Sequence, residues 1–154
     1  MRHGEAVPVA QSDPSRALTA RGQADAVAAG QCLKILGWQA QQVLVSPYLR
    51  AQQTMLAVTA DAGIEAHNIT TVDWLTPDDS PTDVLAELQA LQYERVMLVS
   101  HQPLVSRVIG LLTGGLRDSG VPMMPASMAL LRCDYPMLAG AGLVWLRHAP
   151  AFNI

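Results

Sequence analysis

The sequence predicts an α/β protein, a three-layer α/β/α sandwich around a mostly parallel central sheet. Three observations lead there. Gln42-Val43-Leu44-Val45 and Val96-Met97-Leu98-Val99 are short apolar runs of the kind found in strands buried on both faces. Each gives way at once to a helix-starting signal, Ser46-Pro47 after the first and His101-Gln102-Pro103 after the second. Strands alternate with helical stretches, and mostly right-handed crossovers would then place helices on both faces.

Residues 6–17 are polar, contain Pro8 and Pro14, and read as a surface loop. Thr19 suits an N-cap, because its hydroxyl can accept one of the orphan N–H groups at a helix start. The helix that follows is expected to place Ala24, Val27, Ala28, Leu33 and Leu36 on one face and to stop at Gly37. After the run at 42–45, Ser46 as cap and Pro47 as first helical residue open a second helix to about residue 62, with Arg50 in its first turn. Gly63-Ile64 begins a link to a strand near 69–72. Residues 76–79 form a turn, and Ser80-Pro81 opens a helix with Val84, Leu85, Leu88 and Leu91 facing inward. Pro103 starts a helix to about residue 112, which Gly114-Gly115 ends. A loop rich in Gly, Pro and Met precedes strands near 127–132 and 143–147. No repeat or linker divides the chain, so residues 1–154 are expected to form a single domain with one well-buried core.

Three motifs fall where ligands bind in such sheets, beyond the carboxyl ends of strands. Met1-Arg2-His3-Gly4 combines an imidazole able to attack phosphorus, a planar cationic fork suited to phosphate oxygens, and a residue that lets the backbone approach an anion. Ser46-Pro47-Tyr48-Leu49-Arg50-Ala51 sets Arg50 in a helix first turn, where a cation opposes the helix dipole unless an anion faces it. Val99-Ser100-His101-Gln102-Pro103-Leu104 puts His101 at a strand end. Each residue alone has a plainer reading: His3 as a surface residue, Arg50 as a solvated cation, His101 as a satisfied core histidine. The order and context of all three favour the chemical one.

Together the motifs resemble the histidine phosphatase superfamily, which includes the phosphoglycerate mutases. Leu18-Thr19-Ala20-Arg21-Gly22 also matches its Leu-Thr-x-x-Gly element. The short chain, with Arg16 ahead of Leu18-Thr19, Ser-Pro-x-x-Arg-Ala and Ser-His-x-Pro-Leu, looks most like the small SixA-type phosphohistidine phosphatases. The likeness runs from residue 2 to about 115. It implies a phosphoglycerate mutase-like fold and a metal-independent phosphatase with no cofactor. His3 would be the nucleophile, forming a phosphohistidine that water hydrolyses. Arg2, Arg50 and His101 would surround the phosphoryl oxygens, and Arg16 would touch substrate. The implied partner is a phosphorylated histidine phosphotransfer protein in signal transduction.

The chain departs from the family in two places. Only Met1 precedes Arg2, so the first strand is expected to be cut short before residue 2. The catalytic carboxylate of larger members has no obvious counterpart in Val72-Asp73-Trp74-Leu75-Thr76-Pro77, which leaves Asp73, Asp78 or Asp79 as candidate general acids.

Composition excludes other classes. A net charge of −3 gives no surface for nucleic acid, whose binding rests on clustered cations. Lys34 is the only lysine among ten basic residues, so arginine is informative here only by position. No apolar run approaches the roughly 18 residues needed to cross a bilayer. The start carries the expected nucleophile rather than a removable signal, so a cytoplasmic protein is expected. Cys32 and Cys133 are too few for a disulfide framework and are read as buried; His67 and His148 match no motif. Two alternatives remain open: a small-molecule phosphomonoesterase of the sugar-phosphate type, and a phosphate- or partner-binding module that has lost catalysis.

Overall fold

Val43, Leu44 and Val45 are all buried, because strand β1 (Gln42–Val45) lies at the centre of a parallel sheet with helices on both faces. The computed structural model of the chain describes every residue except Arg117, Ser119, Asn153 and Ile154. Helix α1 (Ala20–Ile35) precedes β1 and helix α2 (Leu49–Ala62) follows it. Then come β2 (Ile69–Thr71), α3 (Pro81–Ala90), β3 (Val96–Val99), α4 (Leu104–Gly114), β4 (Met128–Arg132) and β5 (Gly142–Arg147). The strand order β2-β1-β3 is parallel throughout, in register Val43 to Ile69 and Val43 to Met97. The β4–β5 pair is antiparallel.

Alternation along the strands sorts the core into two layers. Val43, Val45, Met97 and Val99 pack with α1 and α2, whereas Leu44, Val96 and Leu98 pack with α3 and α4. Thr19 caps α1 as expected, accepting from Gly22 N at 3.0 Å. The buried face of α1 is not the expected one. Ala26, Ala29, Gly30 and Leu33 are inside, Ala24 is exposed, and Val27 and Ala28 are only half-buried. Small side chains bring the helix axes together here: a Cβ on Gly30 would stand 2.6 Å from Val58 O in α2.

Other expectations need correction. Helix α2 begins at Leu49 with Tyr48 as N-cap, not at Pro47 behind a Ser46 cap, because the Ser46 hydroxyl is committed to His101. Pro103 caps α4 instead of opening it, and Leu91 lies just past the end of α3. Cys32 is buried but Cys133 is exposed, one residue past β4.

Residues 1–3 join the two sheets. Met1 N donates to Leu98 O (2.7 Å), Ser100 N to Met1 O (3.1 Å) and His3 N to Ser100 O (2.9 Å). On the other side Arg2 N donates to Ser127 O (3.0 Å) and Ala126 N to His3 O (2.9 Å). This short ladder stands where a first strand was expected. Alongside it the edges of β3 and β4 enclose an apolar cavity of about 760 Å³, with Leu98, Leu130 and Trp145 in its wall.

Gly4 has a packing role that the sequence did not reveal. It crosses Gly22 so closely that a Cβ on Gly4 would lie 2.6 Å from Gly22 O, and one on Gly22 would lie 2.1 Å from Glu5 O. Gly22→Ala should therefore destabilise the protein despite alanine's better helix propensity. A loss of about 2 kcal/mol, roughly 4–8 °C in Tm, is expected by thermal denaturation. An unchanged or raised Tm would show that the crossing relaxes freely.

Candidate active site

The ladder of residues 1–3 ends by delivering His3 to the carboxyl edge of the sheet, beside β3. Gly4 N donates to Thr54 Oγ1 (3.0 Å), and the Thr54 hydroxyl donates to Arg50 O (2.6 Å). That relay fixes the register between the His3-bearing segment and the first turn of α2. His3 and Arg50 are consequently adjacent and both buried, at 8% and 3% exposure.

The His3 ring is held at both nitrogens. Nδ1 lies 2.6 Å from Gly4 O, a pure acceptor, so Nδ1 carries the proton. Nε2 is then a lone pair, and it accepts from Arg50 Nε at 3.2 Å. Burial is the main cause that lowers the ring's pKa to about 4; the bond to Gly4 opposes it, and Arg50, Arg2 and Arg16 reinforce it. At neutral pH His3 presents an uncharged nitrogen among cations, the state a nucleophile towards phosphorus requires.

His101 is 1% exposed, with its ring centroid 4.9 Å from that of His3. Its Nε2 is 2.7 Å from Ser46 Oγ, which also receives Tyr48 N at 3.4 Å. A Ser46 hydroxyl that accepts from Tyr48 and donates to Nε2 would leave the His101 proton on Nδ1. That Nδ1 is buried without a partner, and so is Arg2 Nε. In that tautomer they are two buried donors lacking acceptors beside His3, which an anion would satisfy. Burial, with His3 and Arg50 adding to it, lowers the His101 pKa to about 3.

Arg2 is anchored by Nη1 to Met123 O (2.8 Å). Arg50 Nη1 donates to Asp13 O (2.7 Å) and Nη2 to Asp13 Oδ2 (3.0 Å). Arg16 Nη1 reaches the other oxygen, Asp13 Oδ1, at 2.9 Å, while its Nε holds Val7 O. Arg16, then Arg50, keep the Asp13 carboxyl below the usual carboxylate range, against an opposing effect of burial. The anion that a cation in a helix first turn demands is thus Asp13, from the loop read as solvated surface.

The structure brings Arg2, His3, Arg50 and His101 together, with Arg16 at the rim. Sequence reasoning missed Asp13, Ser46 and Tyr48. The Asp13–Arg16 spacing of three residues was a signal for a local ion pair, but nothing in the sequence showed that α2 would share it. Tyr48 packs edge-on to His101 at 5.0 Å and under the Arg50 guanidinium at 4.9 Å. Asp79 Oδ2 is taken by Thr76 N and Oγ1 at 2.6 and 2.7 Å, so it serves the turn. Among the described residues no group of three or more His, Cys, Asp or Glu side chains could hold a metal, and no helix is long and apolar enough to cross a membrane.

Both histidines predict a pH dependence of folding. Each is neutral when folded, with a pKa below the 6.5 of a free histidine, so between 6.5 and about 4 the unfolded chain binds more protons. Stability should be full above pH 6.5 and fall as pH drops, by roughly 3 kcal/mol for His3. Denaturant titrations at pH 7.5 and 4.5 should show a shallower loss in His101→Gln than in the wild type. Equal slopes would mean that the His101 ring is already charged in the folded protein.

Comparison with known proteins bears on this geometry. The family model of the histidine phosphatase superfamily (branch 1) matches residues 1–73. The phosphohistidine phosphatase SixA homolog of Haemophilus influenzae is 35% identical over 143 residues, 87% of this chain and 86% of that protein. Phosphohistidine phosphatase SixA of Escherichia coli K12 is 36% identical over 118 residues, 75% of this chain and 73% of that one. The solved structure of the protein histidine phosphatase SixA complexed with tungstate superposes with a TM-score of 0.87 at 30% identity, covering 95% of this chain and 92% of the other.

Proposed function

Because this chain belongs to the histidine phosphatase superfamily, we propose that it removes the phosphoryl group from a histidine-containing phosphotransfer protein, through a phosphohistidine formed on its own His3. The family together with its SixA relatives supports a phosphatase; the substrate and the residue roles are the proposal.

One observation carries the reading: His3 Nε2 is an uncharged lone pair on the edge of the Arg50 guanidinium, with the proton parked on Nδ1 against Gly4 O. In the mechanism Nε2 bonds to phosphorus as the bond to the leaving group breaks. Arg2, Arg50 and the Nδ1–H of His101 face the equatorial oxygens, where charge spreads in a loose transition state. Water then attacks the phosphohistidine, and His3 is restored. Tungstate, an oxyanion, occupies the SixA structure that superposes on this one, in keeping with an anion seat in the fold.

The choice of phosphohistidine rests on the leaving group. A serine or sugar alkoxide needs a proton as its bond breaks, and no protonated carboxyl contacts the His3 cluster among the described residues. An imidazole protonated on its far nitrogen leaves neutral and needs none. The deciding experiment sets a phosphorylated phosphotransfer domain against a panel of sugar phosphates near neutral pH. A strong preference in kcat/KM for the domain is expected. Equal turnover of a sugar phosphate would give the small-molecule phosphatase reading instead.

A further inference from the structure

Resting on that proposed function, we infer that Asp13 is the specificity residue for the leaving group: its carboxylate accepts the ring N–H of the departing imidazole. Two facts place it there. Its oxygen Oδ2 shares one edge of the Arg50 guanidinium with the nucleophile, His3 Nε2 taking Nε (3.2 Å) and Asp13 Oδ2 taking Nη2 (3.0 Å). That edge is the planar fork a phosphoryl group binds with two oxygens, so the carboxylate occupies one oxygen position in the free protein. The Asp13 side chain is also 52% exposed while the Arg50 side chain is 4% exposed, so Asp13 stands on the open side of the cluster. In-line attack by the buried His3 sends the leaving group towards that open side.

When a phosphoryl group takes the Arg50 fork, Oδ2 is displaced. Asp13 does not leave the mouth, because its backbone carbonyl holds Arg50 Nη1 (2.7 Å) and Oδ1 holds Arg16 Nη1 (2.9 Å). The freed oxygen then faces the substrate ring. A phosphohistidine protonated on its second ring nitrogen offers an N–H to it, and the carboxylate favours that protonated form. As His3 Nε2 bonds to phosphorus, the P–N bond breaks and its electron pair stays on the ring nitrogen. The imidazole departs neutral with its other N–H intact, so no proton is taken from the protein. Flanked by two guanidiniums, the same carboxylate is a poor donor to an alkoxide. One side chain thereby assists the first leaving group and fails the second.

The test compares wild type with Asp13→Asn, a substitution of equal size at a half-exposed position, on two probes: phosphoimidazole, and p-nitrophenyl phosphate, whose leaving group needs no proton. The readout is the ratio of kcat/KM for the two. Loss of a charged acceptor should lower the phosphoimidazole value roughly ten- to hundredfold relative to the other. The variant should also lose phosphoimidazole activity at a lower pH than wild type, since the protonated ring is no longer favoured. Equal losses on both probes, which leave the ratio unchanged, would reduce Asp13 to a residue that positions Arg50 and overturn its role in specificity, and unchanged kcat/KM on both probes would remove its role altogether. Wild type that hydrolyses p-nitrophenyl phosphate but neither phosphoimidazole nor a phosphohistidine domain would overturn the proposed function, and this inference with it.

Discussion

His3→Ala is expected to eliminate turnover, because it deletes the proposed attacking atom. The fold should persist. The lost ring leaves Gly4 O without its donor, a cost of about 1–3 kcal/mol, while the Thr54 relay and the residue 1–3 ladder use backbone groups that remain. Rapid quench with labelled substrate should trap an acid-labile, base-stable phosphoenzyme in the wild type and none in the variant. His3 is buried, so its circular dichroism and melting curve must be recorded beside the rates. A folded His3→Ala protein with full activity would end the proposed mechanism.

Arg50→Ala should be nearly as damaging, and far more so than Arg16→Ala. Arg50 uses all three nitrogens, on His3 Nε2, Asp13 O and Asp13 Oδ2, and its side chain is almost wholly buried. Removing such a donor from a desolvated site costs on the order of 3 kcal/mol, about a hundredfold in rate. It also leaves the Asp13 carboxylate without one of its two cations. Arg16 is 30% exposed and bonds to the loop, so its loss should cost only a few-fold. Steady-state kcat/KM for both variants decides the matter. Small, equal losses would mean the phosphoryl group binds elsewhere.

Four of the five expected site residues lie together because their positions followed from where strands end. Val43–Val45 could be recognised as a buried strand and Val96–Val99 as a strand, although Val96 and Leu98 prove only half-buried because β3 is an outer strand of its sheet; in such a sheet the residues just beyond them must share an edge. The features that sequence reasoning missed depend on contacts between distant segments. Asp13 lies in a loop whose polarity marks it as solvated, and its side chain is indeed 52% exposed; only the approach of α2 sets Arg50 against its carboxylate. Ser46 carries a helix-capping signal, yet its hydroxyl is drawn to a histidine 55 residues away. The small residues of α1 hide its buried face, since Ala26, Ala29 and Gly30 bury little area yet let α2 come close. Gly4 suggested an anion-hugging turn, and the reason for it is a neighbouring backbone.

The ladder of residues 1–3 has a consequence in time. Arg2 is anchored to Met123, 121 residues further along, and Met1 to Leu98, 97 residues away. During synthesis at about 5–20 residues per second, roughly 6–24 seconds separate the making of Arg2 from the making of its anchor. Throughout that interval His3 exists as a residue but has no seat, because Ser100 and Ala126, whose backbone groups bond it, have yet to appear. His3 is thus made well before the segments that seat it, and its place in the fold waits on them.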